Sequence, residues 1–521
     1  MNISSLALNN IDLSNQRLLT HLAFGGFRFQ NIDLANQSRL TELSLSGVTF
    51  KNIDLSNQSQ LASLSIGSSA LVSLDLTNQS QLTEFRCVRN ISQTSLTLPS
   101  HGKLVDLYVH SCPITSLDLS NQKYLDNLLI TSDVGSVELP IQSQLVDISI
   151  TSDTLIHLDL SNQNQLEDID LGAKGLGSLD FPIQSKLAKA SIGTNSLVSL
   201  DLSNQSKLTN LSLVANAMGY LTLPDQGQLN DLFIVGNRLD SIVLPSIDVS
   251  NQIQLTDLSI SFTSMTSLDL SNLNQLTSAD IDSNPMTSIE LPLQSNLINL
   301  DIENSSLFNL DLSNQNQLQD LKIRDKVLTS VNTSNLVNLT NLTLYLEAVT
   351  SIDLSNLSLL TSFYISDDNS ITSLELPVFG KMESLSIDNS SLISINLTNQ
   401  SQLTTLDLSG IPALTEIDLT NQSQLTTLSL RGSPALTEIN LSNLSRLQYM
   451  NIEDSAITSL DLTNQGEVTR LDLEPNPALS SIDFPDPSQL SYLRLTETNL
   501  DQETRTYIDE FLIPSGVKVT F

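Results

Sequence analysis

The sequence predicts a repeat solenoid of the α/β class, built mostly of short β-strands and loops, and three observations predict it. A six-residue string, LDLSNQ or a close variant, starts at 23 positions from Ile11 to Ile482, nearly always 20, 21 or 22 residues after the one before. Within each unit apolar and polar residues alternate over short runs. The composition lacks the large aromatics a compact core uses, with no Trp and 4% aromatics, yet 40% of residues are hydrophobic, too many for a disordered chain.

Residues 208–228 show how one unit is put together. Leu208, Leu211 and Leu213 read LxxLxL, Asn216 and Met218 follow, and Leu221 and Leu223 form a second apolar half. Alternation with period two makes each LxL a short strand with its leucines inward. The Ser, Asn, Gly, Asp and Pro residues between the halves are turn formers. One rung is therefore a strand, a turn, a second extended segment and another turn. A single coil cannot bury its own apolar face, so neighbouring coils must share one hydrophobic column. Each inward Leu or Ile then contributes about 1.5–3 kcal/mol. The array is expected over residues 1–498. One step, Leu221 to Ile247, is 26 residues long and marks an irregular insertion near 242–248.

Two kinds of closing turn are written into the repeat. Sixteen rungs end in Ser, Thr or Ala followed by Asn and then Gln or Leu, as at Asn57, Asn121, Asn204, Asn314 and Asn421. The other seven carry Pro99, Pro140, Pro182, Pro224, Pro292, Pro377 and Pro485. Stacked Asn side chains are expected to hydrogen-bond the turn backbone of the adjacent coil, whereas Pro removes a donor and fixes φ. The two devices nearly alternate between residues 117 and 294, as a 42-residue super-repeat or an old duplication would leave them.

The C-terminus departs from the repeat. Residues 501–512 read as an amphipathic helix with Asp501 as N-cap. Its Tyr507, Ile508, Phe511 and Leu512 are expected to face the last rung. Val517–Phe521 alternates like a closing strand, so residues 499–521 are assigned to a helix–strand cap.

The unit LxxLxLxxNxLxxLDLxx resembles the bacterial 21-residue class of leucine-rich repeats, a broad group that includes internalin-like surface proteins. The resemblance covers almost the whole chain. It departs at the Asn that follows LxLxx, present at Asn90, Asn195, Asn216, Asn237, Asn284 and Asn476 and mostly replaced elsewhere. The Asn of the closing turn is therefore expected to carry more of the ladder. The resemblance implies a right-handed solenoid of about 23 coils whose concave parallel sheet faces a ligand, on or outside a bacterial cell. The first residues, MNISSLALNN, show no secretion signal of their own.

The net charge of −34 repels nucleic acid and anionic lipid. No apolar run approaches the ~18 residues of a membrane span. Neither nucleic-acid binding nor membrane insertion is expected. His21, His101, His110 and His157 are scattered, with no HExxH or zinc spacing, and there is no GxSxG or P-loop. The insertion at 242–248 brings together no carboxylates and basic groups of the kind a β-helix polysaccharide lyase or hydrolase would need. No catalysis and no cofactor are expected. Cys87 sits at an inward leucine position and Cys112 in the asparagine column, so both read as buried, inert thiols.

Two columns carry the remaining chemistry. The residue inside the second LxL is acidic in 18 of 23 rungs, Asp33, Asp54 and Asp75 among them. It reads either as a stripe for Ca²⁺ or as a solvated face that confers solubility. The residue inside the first LxL varies instead. It is Ser44, Ser65, Ser149, Ser191 and Ser212, but also Arg86, Tyr108, Phe233, Lys322, Tyr364, Asp407 and Arg494.

Aromatic and Arg residues of this kind anchor interfaces. Tyr449, Arg470 and Tyr492 fall in one column on consecutive rungs, with Arg494 beside them, where Arg could meet an aromatic face on either side. Arg86, Arg89, Tyr108 and His110 form a second cluster. Each cluster reads as a ligand patch or as ordinary surface stabilisation. The function expected is non-catalytic binding or adhesion, with a protein or glycan ligand. The alternative is a spacer or matrix element, a flat Ser/Thr face of which would order water as ice-binding solenoids do. Oligomeric state is not legible in the sequence.

Overall fold

Leucines two residues apart lie on one side of an extended strand, and the structure buries them. The computed structural model describes residues 1–4, 11–25, 32–47, 51–68, 70–90, 92–237, 243–367, 370–484 and 489–521. Pro485, and residues 238–242 within the long step, the last of which opens the expected insertion near 242–248, lie outside them. In the rung that begins at Leu208, the side chains of Leu208, Leu211, Leu213 and Met218 are at most 1% exposed. The same inward positions are filled by Leu, Ile, Val, Phe or Ala in rung after rung, so the core is an aliphatic column of small equivalent layers.

The chain divides into two units, Met1–Met265 and Thr266–Phe521. Each is a parallel β-solenoid with one main sheet, to which each rung gives one strand. In the first unit the described strands run from Asn2–Ser4 to Asp257–Ser261, and in the second from Ser278–Asp282 to Lys518–Thr520. Register follows the repeat, so equivalent positions line up, as with Ser191 beside Ser212 and Leu213 beside Ile234.

A second layer of two-stranded ladders explains the alternation of closing turns. Among the described residues these ladders are Ser73–Asp75 with Ser95–Thr97, Ser116–Asp118 with Ser136–Glu138, His157–Asp159 with Ser178–Asp180, and Ser199–Asp201 with Tyr220–Thr222. In the second unit they are Ser267–Asp269 with Ser288–Glu290, Ser351–Asp353 with Ser373–Glu375, and Ser459–Asp461 with Ser481–Asp483. Every one joins an Asn-turn rung to the Pro rung that comes after it. The reason is local: a residue before Pro is held extended, which keeps the second segment straight enough to pair. The structural unit in these stretches is thus two rungs.

The polar ladder of the closing turn belongs to Gln, not to Asn. Asn57, Asn121, Asn204, Asn314 and Asn421 are exposed, whereas the Gln after each is buried. Gln58 and Gln79 donate from Nε2 to the carbonyls of Leu34 and Leu55 in the preceding rung, both at 2.6 Å. Gln122, Gln163, Gln205, Gln252, Gln315 and Gln400 donate to Pro99, Pro140, Pro182, Pro224, Pro292 and Pro377 at 2.7–3.1 Å. Four rungs place Leu273, Leu336, Leu357 or Leu444 there instead, and all four are buried. Asn335 and Asn443 of two such rungs donate to the carbonyls of Ser313 and Thr420.

Cys87 and Cys112 are not free thiols. They form a disulfide between neighbouring rungs, with Cα atoms 6.7 Å apart. Cys87 lies in the strand Glu84–Val88 and Cys112 in the turn after the strand Asp106–His110. Their separation of 25 residues exceeds one repeat because the link runs diagonally from a strand to the next rung's turn.

At the C-terminus an α-helix, Gln502–Tyr507, continues as a π-helix, Ile508–Leu512. Asp501 caps it by accepting from the Thr504 amide at 2.8 Å. Ile508 and Leu512 are buried and Tyr507 stacks on Phe484, but Phe511 is 53% exposed and touches the fold through Tyr507. Lys518–Thr520 then pairs with Tyr492–Arg494. No helix among the described residues is long and apolar enough to cross a membrane.

Candidate functional site

The acidic column has a structural task. In all sixteen Asn-turn rungs the Asp or Asn inside the second LxL accepts the backbone N–H two residues on, at 2.8–3.1 Å. This is an Asx turn. In the Pro rungs the residue two on is the proline, which has no N–H to give. There the Asx constraint is released: five of the seven carry Thr97, Glu138, Thr222, Glu290 and Glu375 instead, and two keep Asp180 and Asp483. The turn bonds hold several of these carboxyls below their ordinary range. For Asp159 and Asp353 the Ser161 and Ser355 hydroxyls act first and then their amides; for Asp311 and Asp461 the amide comes first. Asp33, Asp54 and Asp75 each accept such a turn bond, and among the described residues no three His, Cys, Asp or Glu side chains are grouped to hold a metal ion.

On the main sheet the structure brings Tyr449, Arg470 and Tyr492 into direct register on three successive strands. The Arg470 guanidinium carbon lies 5.5 Å from the Tyr449 ring centre and 4.9 Å from that of Tyr492. Lys518, which the repeat pattern does not reveal because it lies beyond the last rung, extends the column at 5.7 Å from Tyr492. Arg470 also binds within its own strand, with Nε and Nη2 3.0 and 2.9 Å from Asp472 Oδ2. Asp472 is buried, and Tyr449 Oη reaches the same oxygen at 3.4 Å. Burial, first of all, raises the Tyr449 hydroxyl above its ordinary value. Arg494, two residues along the strand from Tyr492, pairs instead with Glu474, 3.0 Å distant.

The first-unit cluster is divided. Arg86 and Tyr108 are opposite one another in register, but the Arg86 guanidinium pairs with Glu84 at 2.6 Å. Tyr108 stacks instead on His110, with ring centres 6.1 Å apart, and His110 hydrogen-bonds Thr131. Arg89 sits at the strand's end with φ of 51°, its amide donating to the His110 carbonyl.

A third constellation combines two columns, the varied one and the one two residues further along each strand. Lys322 pairs with Asp301 at 3.2 Å and with Glu303, and Arg324 pairs with Glu303 at 3.0 Å. Arg324 lies over Tyr345 at 3.9 Å, and Tyr345 meets Tyr364 at 5.2 Å between ring centres. Beyond Tyr364 opens a groove of about 820 Å³, bordered by Asp388, Asp407, Arg431, Glu453 and Asp454. Sequence reasoning marked Lys322, Tyr364 and Asp407 but not Arg324, Tyr345 or Asp388. Arg324, Tyr345 and Asp388 lie in the same column as His110, two residues beyond the varied one, where Arg324 and Tyr345 are one repeat step apart.

A parallel sheet of one strand per rung, a leucine column beneath it and buried polar turns are now in place. The fold is that of a leucine-rich-repeat solenoid. YopM from Yersinia enterocolitica has it at a TM-score of 0.51 and 18% identity, over 94% of this chain and 92% of that one. The Drosophila Toll–Spatzle complex matches at 0.51 and 14%, over 97% and 78%. The functional domain of InlJ from Listeria monocytogenes, whose structure includes a cysteine ladder, is similar at 20% identity over 88% and 72%, with a TM-score of 0.33. No family model and no curated protein matches the sequence. In this leucine-rich-repeat solenoid the three constellations all stand on the main sheet, where side chains vary without disturbing the column beneath.

Proposed function

We propose that the chain is a non-catalytic binding scaffold that offers the varied face of its main sheet to a protein or glycan ligand outside the cell. The observation that carries this reading is the column Tyr449, Arg470, Tyr492 and Lys518, half-buried aromatic rings alternating with exposed cationic groups on four successive strands. Tyr and Arg supply large contact area with few rotatable bonds and dominate interface energetics. The Cys87–Cys112 disulfide supports an extracellular setting, because such bonds persist in oxidising compartments and are rare in the cytosol. Adhesion from a bacterial cell surface is the form of this function that the repeat class favours.

The test is to screen the wild-type chain and a Tyr449→Ala/Arg470→Ala/Tyr492→Ala variant against a glycan array and a panel of purified surface proteins. A ligand held by the wild type and lost by a variant with an unchanged circular-dichroism spectrum is the expected result. Equal capture by both would discard the patch, and no capture by either would discard the binding reading.

The regular two-rung ladders favour a second reading, a spacer without a discrete ligand. That reading expects no capture by either chain and a stiff particle in solution scattering.

A further inference from the structure

The groove beyond Tyr364 has a chemistry of its own, which rests on the binding reading and narrows it to one class of partner. Tyr364, Ser386 and Asp407 lie in register on three successive strands, as do Ser366, Asp388 and Ser409 two residues along. The outer edge carries two glycines between Asn389 and Asp454. Asn389, Gly410, Gly432 and Asp454 all have φ between 52° and 69°, and each amide donates to a carbonyl of the following rung. At Gly410 an added Cβ would come within 2.5 Å of Asn389 Oδ1, so the Asn389 side chain can pack there only over a glycine. The result is a trough with an aromatic end wall, a serine floor and acidic flanks.

The charges of the trough do not balance. Arg431 is paired with Glu453 at 3.6 Å. Asp388 and Asp407 have no ion-pair partner among the described residues. Burial and, next, the neighbouring Asp407 push the Asp388 carboxyl above its ordinary value, against a smaller opposite pull from Arg431. Two acids side by side on a partly buried face are unfavourable until a cation arrives. The adjoining rings show what a cation does here: Arg324 occupies the face of Tyr345, whereas no cation of this chain is found over Tyr364 among the described residues. The field of a chain carrying a net charge of −34 draws cations towards such a trough.

We propose that this trough receives a basic side chain, guanidinium or ammonium, from an extended segment of a cationic partner protein, seated against Tyr364 and between Asp388 and Asp407. The serine floor of the groove leaves room for the segment's backbone. A neutral glycan is the other occupant a trough with an aromatic wall would take, and the charge imbalance favours the cation over it.

The experiment titrates the full chain with hexa-arginine, with hexaglutamine and with a neutral hexasaccharide at low and at physiological salt. Hexa-arginine is expected to bind and hexaglutamine is not. The Asp388→Asn/Asp407→Asn variant should weaken hexa-arginine by about tenfold, the size of one desolvated cation contact. Tyr364→Leu should weaken it less. Asp118→Asn/Asp159→Asn removes the same charge elsewhere at positions where other rungs carry Asn, so binding should stay within about twofold. Equal weakening by the two double variants would mean diffuse attraction and would overturn the proposal. Saccharide binding that depends on Tyr364 but not on the two acids would overturn it in favour of a glycan. The Tyr449/Arg470/Tyr492 variant should leave hexa-arginine binding intact, so failure here and failure of the proposed patch are separately visible. Asp388→Asn/Asp407→Asn should melt no lower than the wild type, which excludes misfolding as the cause of lost binding.

Discussion

Gln163 donates its side-chain amide to the carbonyl of Pro140, one rung back, at 3.0 Å. The bond joins the two kinds of closing turn: the Pro rung presents a carbonyl, and the next rung supplies the donor. Gln163 is 1% exposed, and its Oε1 has no partner among the described residues. Substitution is therefore asymmetric. Gln163→Leu, the residue natural at four equivalent positions, removes one bond and one unpartnered oxygen and should cost less than about 1 kcal/mol. Gln163→Ala loses the same bond and leaves a cavity besides, and should cost about 2–3 kcal/mol. Urea unfolding of the two variants checks the order, and an Ala variant as stable as Leu would contradict the packing role given to the buried side chain.

The disulfide makes a second prediction. A link closing a 25-residue loop restricts the unfolded chain by about 3 kcal/mol. Reduction, or Cys87→Ala with Cys112→Ser, should lower the stability of the first unit and speed proteolysis around residues 84–131. The second unit, which contains neither cysteine, should be unaffected. Alkylation and mass measurement before and after reduction count the bond directly.

The share of this that is legible in the sequence comes from one fact, that register equals the repeat. Leu211, Leu213 and their equivalents announce strands by alternation, and Tyr449, Arg470 and Tyr492 can be aligned because their spacing is the repeat step. Geometry that departs from the step is not legible. Cys87 and Cys112 pair on a diagonal, so a 21-residue comparison never brings them together. Asn and Gln are adjacent in the closing turn, and only the turn's rotation decides that Gln points inward. Arg324, Tyr345 and Asp388 keep the step and are legible by the same alignment, in the column two residues beyond the varied one.

The acidic column responds to pH in a stated direction. Asp159 is held below its ordinary range by the Ser161 hydroxyl and then its amide. A carboxyl lowered in the folded state contributes stability that is full above its unfolded value and is lost as pH falls through the folded one. Asp159→Asn keeps the turn, as Asn332, Asn396 and Asn440 do in their rungs, but removes this titration. Asp159→Glu, a residue found only in Pro rungs, misplaces the oxygen and should cost about 1 kcal/mol. Urea midpoints measured from pH 7 down to acid should separate the three chains. A Glu variant as stable as the wild type at neutral pH would remove the Asx turn as the reason for the column.

Asp147 carries the opposite sign. Burial, then the nearby Asp168, Asp126 and Glu167, raise its carboxyl above the ordinary range. The folded state then holds that proton more tightly than the unfolded chain, so ionisation at neutral pH weakens folding, and the penalty is relieved as pH falls through the raised value. Asp147→Asn should raise the unfolding midpoint at pH 7, and the gain should shrink on acidification. A midpoint lowered at pH 7 would show that the charge is needed where it stands.

Arg470 poses the question of whether the aromatic column stabilises the fold or serves a ligand. Its partner Asp472 is buried, with Oδ1 unpartnered among the described residues. Arg470→Ala strands that carboxylate, which should cost about 1–2 kcal/mol, reduced from the fully buried case because the guanidinium itself is half exposed. Tyr449→Ala and Tyr492→Ala each leave the ion pair intact and should cost less. Adding Asp472→Asn to Arg470→Ala removes the stranded charge and should restore most of the loss. If the rescued double variant is stable yet no longer binds a ligand that the wild type captures, the guanidinium serves recognition as well as the strand it sits on. If stability and binding recover together, Arg470 acts only by neutralising Asp472, and the two rings make the contact.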